Sequence, residues 1–169
     1  SDPDWHGSEL VSFEITDAHP YNVKTLEADI EFIITPVNDA PIIADKSDEF
    51  IDEDVPTTFA MVLTDIDTGE VLTLSAFSGV SELSVTTNSE DSTITVIPEA
   101  DWYGESEVVV IVSDGELTDT TSFLLTVSPV NDAPRLSEIS DKIISEDDTL
   151  TVALEVVNVD TGETLTAFV

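Results

Sequence analysis

The run V-V-V-I-V-S-D-G-E-L-T-D-T-T-S-F-L-L-T-V-S-P-V-N-D-A-P, Val108 to Pro134, decides the fold. Its first part puts Val108, Val110 and Val112 on one face and Val109, Ile111 and Ser113 on the other. Asp114-Gly115 then interrupts the pattern with ordinary turn residues. Alternation resumes at Phe123, Leu125 and Val127. Two period-two runs rich in β-branched and aromatic residues predict strands on either side of a turn. The stretch closes on P-V-N-D-A-P. Its prolines fix φ and lack an amide donor, so this end is a short, stiff, extended link.

P-V-N-D-A-P occurs twice, at Pro36–Pro41 and Pro129–Pro134, 93 residues apart. The same offset carries I-D-E-D at Ile51–Asp54 to I-S-E-D at Ile144–Asp147, and D-I-D-T-G-E at Asp65–Glu70 to N-V-D-T-G-E at Asn158–Glu163. Upstream, D-W-H-G at Asp4–Gly7 matches D-W-Y-G at Asp101–Gly104 with an offset of 97; the extra residues lie between Asp17 and Pro36. A fixed period marks a tandem array, and 93 residues suit one small domain. The expected organisation is the C-terminal part of one repeat (1–35), a linker (36–41), a complete repeat (42–128), a second linker (129–134) and the N-terminal part of a third repeat (135–169).

Strand patterning runs throughout. Phe59, Met61 and Leu63 alternate, as do Leu72, Leu74 and Ala76, then Leu83 and Val85, then Ile94, Val96 and Pro98. In the outer pieces Val11, Phe13 and Ile15 stand where Val108, Val110 and Val112 stand, and Ile30, Phe32 and Ile34 where Phe123, Leu125 and Val127 stand. Val152, Leu154 and Val156 replace Phe59, Met61 and Leu63. No segment sustains a 3.6-residue period. Short strands between Gly, Asp, Asn and Pro turns predict an all-β chain with a seven-strand Greek-key sandwich per repeat.

Thirty-seven acids face four Lys and Arg, a net charge of −33. Phosphate recognition needs a basic face, so nucleic acid is excluded as a partner, and an anionic membrane surface with it. No apolar run approaches a membrane span, so direct membrane insertion is not expected. Cysteine is absent, which removes disulfides and thiolate metal sites. His6 is replaced by Tyr103 in the middle repeat, and His19 lies in the inserted residues, so neither is needed by a working repeat. No nucleophile elbow, phosphate loop or zinc spacing occurs. The chain is not expected to be an enzyme.

Acids at Glu53, Asp54, Asp65, Asp67, Asp101 and Asp114 fall at predicted strand ends. Asp65-x-Asp67-x-Gly69 starts like an EF-hand, but Gly69 and Ala76 stand where that loop needs its fifth and twelfth ligands. Asp and Gly also make plain turns, and high acidity also solvates a surface; both readings stay open here.

The quoted stretch, with its P-V-N-D-A-P ending, resembles the last two strands and linker of a cadherin repeat. It is more similar to the cadherin-like tandem repeats of giant bacterial adhesins and related secreted surface proteins. That resemblance implies Ca²⁺ between successive repeats. By position it implies Asp4, Asn38 and Asp39 from above and Asp65, Asp67 and Asp114 from below at the first junction. At the second it implies Glu53, Asp101, Asn131 and Asp132 from above and Asn158 and Asp160 from below. The chain departs from the cadherin pattern in its shorter linker, in D-W-Y-G for the mid-domain acidic motif, and in neutral Asn158. The implied role is a structural extracellular stalk of a surface protein, rigidified by Ca²⁺. Its partners would be neighbouring repeats, and a cell-surface protein or glycan through other domains. Alternatives are a glycan- or protein-binding adhesion module, or a spacer repeat inside a large secreted enzyme.

Overall fold

The computed structural model describes residues 3–167 except 19, 23, 161 and 163. All its regular elements are strands: β1 (Gly7–Thr16), β2 (Thr25–Ile34), β3 (Ile42–Ile43), β4 (Glu49–Asp52), β5 (Thr57–Ala60), β6 (Leu63–Thr64), β7 (Thr73–Ser78), β8 (Leu83–Asn88), β9 (Thr93–Pro98), β10 (Gly104–Ser113), β11 (Thr118–Ser128), β12 (Arg135–Leu136) and β13 (Val156–Val157). The fold is an all-β, Ig-like sandwich. A four-stranded sheet β4-β11-β10-β7 faces a three-stranded sheet β5-β9-β8, with a short β3–β6 ladder at the edge.

Alternation in the sequence sets the faces. Val108, Val110 and Val112 on β10 and Leu125 on β11 are fully buried, with Ile94 and Val96 of β9 opposite. Burying one such aliphatic side chain contributes about 1.5–3 kcal/mol. Phe59 and Phe123 meet edge to face across the core, ring centroids 5.9 Å apart. Lys46 lies over both rings and pairs with Glu49 at 2.7 Å. Leu74 and Ala76 face inward as the sequence predicts. Phe59, Met61 and Leu63 do not form one strand. The chain changes partner there, from β9 to β3, so β5 stops at Ala60 and β6 starts at Leu63. Met61 stays buried and its amide goes to Ser92 O.

Two features bring the chain back to the linkers. β4 runs parallel to β11 and sets Ile51 beside Val127. It therefore ends where β11 runs into the second linker. At the other end, Asp119 of β11 accepts the Ile43 amide at 3.0 Å and its own neighbour Thr120 at 2.8 Å. That contact anchors β3 as the chain leaves the first linker.

The outer pieces repeat parts of this frame. β1 and β2 pair antiparallel with Val11 opposite Ile30, as Val108 is opposite Phe123 in β10–β11. Arg135–Leu136 pair with Val156–Val157 as Ile42–Ile43 pair with Leu63–Thr64. Of the expected alternating run Val152, Leu154 and Val156, Val156 alone lies in a ladder.

Candidate metal centres at the two linkers

At the second linker β4 ends on Glu53, whose amide donates to Ser128 O of β11. This pulls the Glu53 side chain inside, where it is 3% exposed. Its Oε1 accepts the Val130 amide of the linker at 2.7 Å. Its Oε2 is buried without a hydrogen-bond partner. Asp132 holds the Asn158-Val159-Asp160 turn of the next piece, since its amide donates to Asp160 Oδ2 at 2.7 Å. Carboxylate oxygens of Glu53, Asp132 and Asp160 lie within 4.8 Å of one another.

A second triad shares Asp132. Asp54 and Asp101 both adopt left-handed backbone, φ 63 and 59, a conformation Asp tolerates better than most residues. Asp54 Oδ1 accepts the Asp101 amide at 3.0 Å. Asp54, Asp101 and Asp132 also offer oxygens within 4.8 Å of one another. The turn is closed by D-W-Y-G: Trp102 packs against the core, and a Cβ on Gly104 would meet its ring at 3.2 Å.

The first linker repeats the arrangement. The Asp39 amide donates to Asp67 Oδ2 at 2.7 Å, and the Asp67 amide donates to Asp65 Oδ1 at 2.9 Å. Asn38 Nδ2 donates to Asp114 Oδ2 at 3.0 Å, joining linker to the β10–β11 turn. Asp4, left-handed like Asp101, lines the same cleft as Asp39 and Asp65. Asp65, Glu70 and Asp114 bring oxygens within 4.8 Å of one another, and Asp65 Oδ2 is buried without a partner.

All the sequence-derived positions sit at the linkers. Asn131 Nδ2 reaches the Asp132 carbonyl at 3.4 Å, and Asn158 Nδ2 the Asp160 carbonyl at 3.4 Å. Asp54 and Glu70 are additions to the implied ligand set. Recurrence of E-D at Glu146-Asp147 and of D-T-G-E at 160–163 was the available signal; Glu163 and His19 lie outside the described residues.

Electrostatics follow from the crowding. The Asp132 carboxyl is pushed above the ordinary range by burial first, then by Asp54, Asp101, Asp160 and Glu53. Glu70 is raised by burial and by Asp114, Asp65 and Asp67. Asp114 is held low by the Leu117 amide, Asn38 and the Glu116 amide. Oxygens bound to one Ca²⁺ at about 2.4 Å lie no more than about 4.8 Å apart, and all the donors here are the hard oxygens it takes. The buried, unpartnered Glu53 Oε2 is an acceptor without a donor, as a cation ligand would be. The residues fit a hard divalent cation.

A family model described as "Bacterial Ig domain" matches residues 38–126. No curated protein matches the chain. Among solved structures, the endo-fucoidan hydrolase MfFcnA4 of glycoside hydrolase family 107 is 24% identical with a TM-score of 0.41, over 72% of this chain and 19% of that one. Domains 4 and 5 of the S-layer protein SbsC are 20% identical with a TM-score of 0.40, over 72% and 58%. Titin domain M7 is 15% identical with a TM-score of 0.38, over 56% and 99%. This chain spans about a fifth of the length of the fucoidan hydrolase it matches.

Proposed function

Because the chain belongs to the bacterial Ig domain family, we propose that it is a spacer segment of an extracellular stalk whose tandem cadherin-like repeats are locked at their P-V-N-D-A-P junctions by Ca²⁺. The observation that carries this is Glu53, an acid kept almost wholly from water with one oxygen unpartnered beside Asp132 and Asp160. A buried carboxylate left uncompensated is costly. A divalent cation held by Glu53, Asp132 and Asp160 offsets that cost and ties the middle repeat, the linker and the next piece together. Asp54 and Asp101 hold a second position on the near side of Asp132. At the first junction Asp65, Glu70 and Asp114 form a further group, with Asn38, Asp39, Asp67 and Asp4 around it. The cation supplies positive charge and coordination; the chain supplies stiffness through its prolines and the paired Asp132–Asp160 and Asp39–Asp67 contacts.

The test is calorimetric titration of calcium into the protein and its Glu53→Gln variant. Binding that is lost or much weakened in the variant, with the middle sandwich still folded, supports the reading. Absence of binding in the native chain overturns it.

A second reading, a glycan- or protein-binding adhesion module, is favoured by the outer face of the four-stranded sheet. Phe50 and Phe77 stand there 73% and 53% exposed, alongside Leu124 and Val109. Glycan binding that is abolished by Phe50→Ala and Phe77→Ala would establish it.

A further inference from the structure

The two outer faces of the middle sandwich differ. On the three-stranded sheet Thr58, Thr95 and Thr86 stand in one row across β5, β9 and β8, and the Thr58 and Thr95 hydroxyls bond at 2.8 Å. That row is polar and wet. On the four-stranded sheet an apolar stripe crosses all four strands. Phe77 of β7 pairs with Val109 of β10. Leu124 of β11 is diagonal to Val109, whose own partner on that strand is Ser122. Phe50 of β4 is diagonal to Leu124, since it lies beside Thr126. Diagonal neighbours on one face lie about 7–8 Å apart, within reach of large side chains, so the stripe is continuous. Three strand intervals across and four residues along put its ends about 20 Å apart.

The fold does not require this stripe. The core lies on the opposite face of the same strands, under Val108, Val110 and Leu125. In the first repeat Ser12 and Glu31 stand where Val109 and Leu124 stand, and the same hairpin forms. Exposed apolar side chains standing singly are ordinary; a contiguous set rimmed by polar groups marks an interaction surface.

The rim carries one sign. Glu107 stands opposite Leu124 and Glu105 opposite Thr126. On the other side Asp48 accepts the Leu124 amide at 2.9 Å. β4, β7, β10 and β11 contain no Lys or Arg. Lys46, the one cation between the two linkers, is turned to Phe59, Phe123 and Glu49. Neighbouring repeats do not complement such a rim: residues 1–35 hold eight acids to one Lys, and residues 135–169 eight acids to Arg135 and Lys142. A second copy brings the same acidity, and like charges across an interface suppress a partner.

We infer that this face binds a protein partner through a basic amphipathic segment, with apolar side chains on the Phe50–Leu124–Val109–Phe77 stripe and Lys or Arg on its acidic rim. The inference rests on the adhesion-module reading of this face and names its partner. Sugar rings stack on aromatic faces and hydrogen-bond to polar groups beside them; the middle of this stripe offers aliphatic side chains instead. A helix of about 13 residues spans the stripe.

The experiment is NMR titration of the 169-residue chain, in calcium, with a synthetic Leu/Lys amphipathic peptide of that length as the probe. Amide shifts should concentrate on β4, β7, β10 and β11. Affinity should fall about tenfold or more in Phe50→Ala/Phe77→Ala, as it does when aromatic anchors are lost. Glu105→Gln/Glu107→Gln should weaken binding too, and added salt should remove that difference. A Leu/Glu peptide should not bind. Oligolysine, which lacks the apolar face, should spread over the acidic surface and be indifferent to Phe50→Ala/Phe77→Ala. All four substitutions change exposed side chains, and an unchanged melting temperature checks the fold. Leu/Lys binding that ignores the Phe variants, is unaffected by Glu105→Gln/Glu107→Gln, or is matched by the Leu/Glu peptide overturns the inference. A neutral cello-oligosaccharide that binds here instead, and is lost in the Phe variants, overturns it and keeps the adhesion module. If neither probe binds this face, both fall.

Discussion

Asp132 gives its amide to the Asp160 carboxylate at 2.7 Å, and one repeat earlier Asp39 gives its amide to Asp67 at the same distance. The bond spans linker and following repeat, so it sets the angle at which one leaves the other. It also spends one carboxylate oxygen of the turn's last Asp on the backbone and leaves the other for a ligand. Both junctions are thus built to one plan, and changes at one report on the other.

Asp67→Asn tests the charge without removing the acceptor. An Asn oxygen can still take the Asp39 amide, so the linker contact survives. Calcium affinity at the first junction should fall about tenfold, corresponding to roughly 1.4 kcal/mol, with the middle repeat's melting in chelator unchanged. Calorimetry on the variant decides it; unchanged affinity would reduce Asp65–Glu70 to a turn.

Phe123→Ala should behave in the opposite way. It empties the space facing Phe59 and removes one wall of the Lys46 site. A truncation of this size costs about 3–5 kcal/mol, with or without metal. For a domain of this length the melting temperature should drop by more than about 10 °C. Scanning calorimetry in calcium and in chelator should give the same difference.

Much of this was legible in the sequence, and the reasons are physical. Faces of β9, β10 and β11 could be read because the side-chain period of a strand is two and one face is buried. The junction acids were implied by the resemblance to cadherin-like repeats and carried from one junction to the other by the fixed period. Asp54 was harder. Adjacent residues in a strand point to opposite sides, so Glu53 and Asp54 would not be expected to share a site. The left-handed backbone at Asp54 breaks that alternation, and both carboxylates reach Asp132. Glu70 was hidden by Gly69, φ 95, which turns the chain back toward Asp114. The break at Met61–Val62 was hidden too, since a strand that changes sheets keeps its hydrophobic alternation.

Acid should weaken the sandwich through Asp119. The Ile43 and Thr120 amides hold its carboxyl below the ordinary value. A folded-state pKa below the unfolded one means the unfolded chain binds the proton more tightly. The contribution is therefore complete above the usual carboxylate range and is lost as pH falls through the lowered value. Asp119→Ala should be less stable than the native chain at neutral pH, and the gap should close in strong acid. Urea midpoints across that range measure it. A gap that persists below the carboxylate range would mean Asp119 acts through packing.

Calcium at the second junction should lose affinity at higher pH than a site of ordinary surface carboxylates does. Asp132 carries a raised pKa from burial and from its four acidic neighbours. Without metal, the folded state therefore takes up a proton at higher pH than ordinary carboxylates do. That proton relieves the crowding and competes with the cation. Calcium affinity should fall as pH drops toward the ordinary carboxylate range, where Asp119 is still ionised and the sandwich intact. Extracellular calcium modules bind with dissociation constants of about 0.1–1 mM, and a hundredfold excess of ligand adds about 2.7 kcal/mol per site. Such a gain should slow hydrogen exchange at the Val130 and Asp132 amides, which bond to Glu53 and Asp160, by about a hundredfold when they open only with the junction. Asp132→Asn should abolish both the pH dependence and the protection. If exchange at these two amides is the same in calcium and in chelator at neutral pH, the cation does not lock the junction.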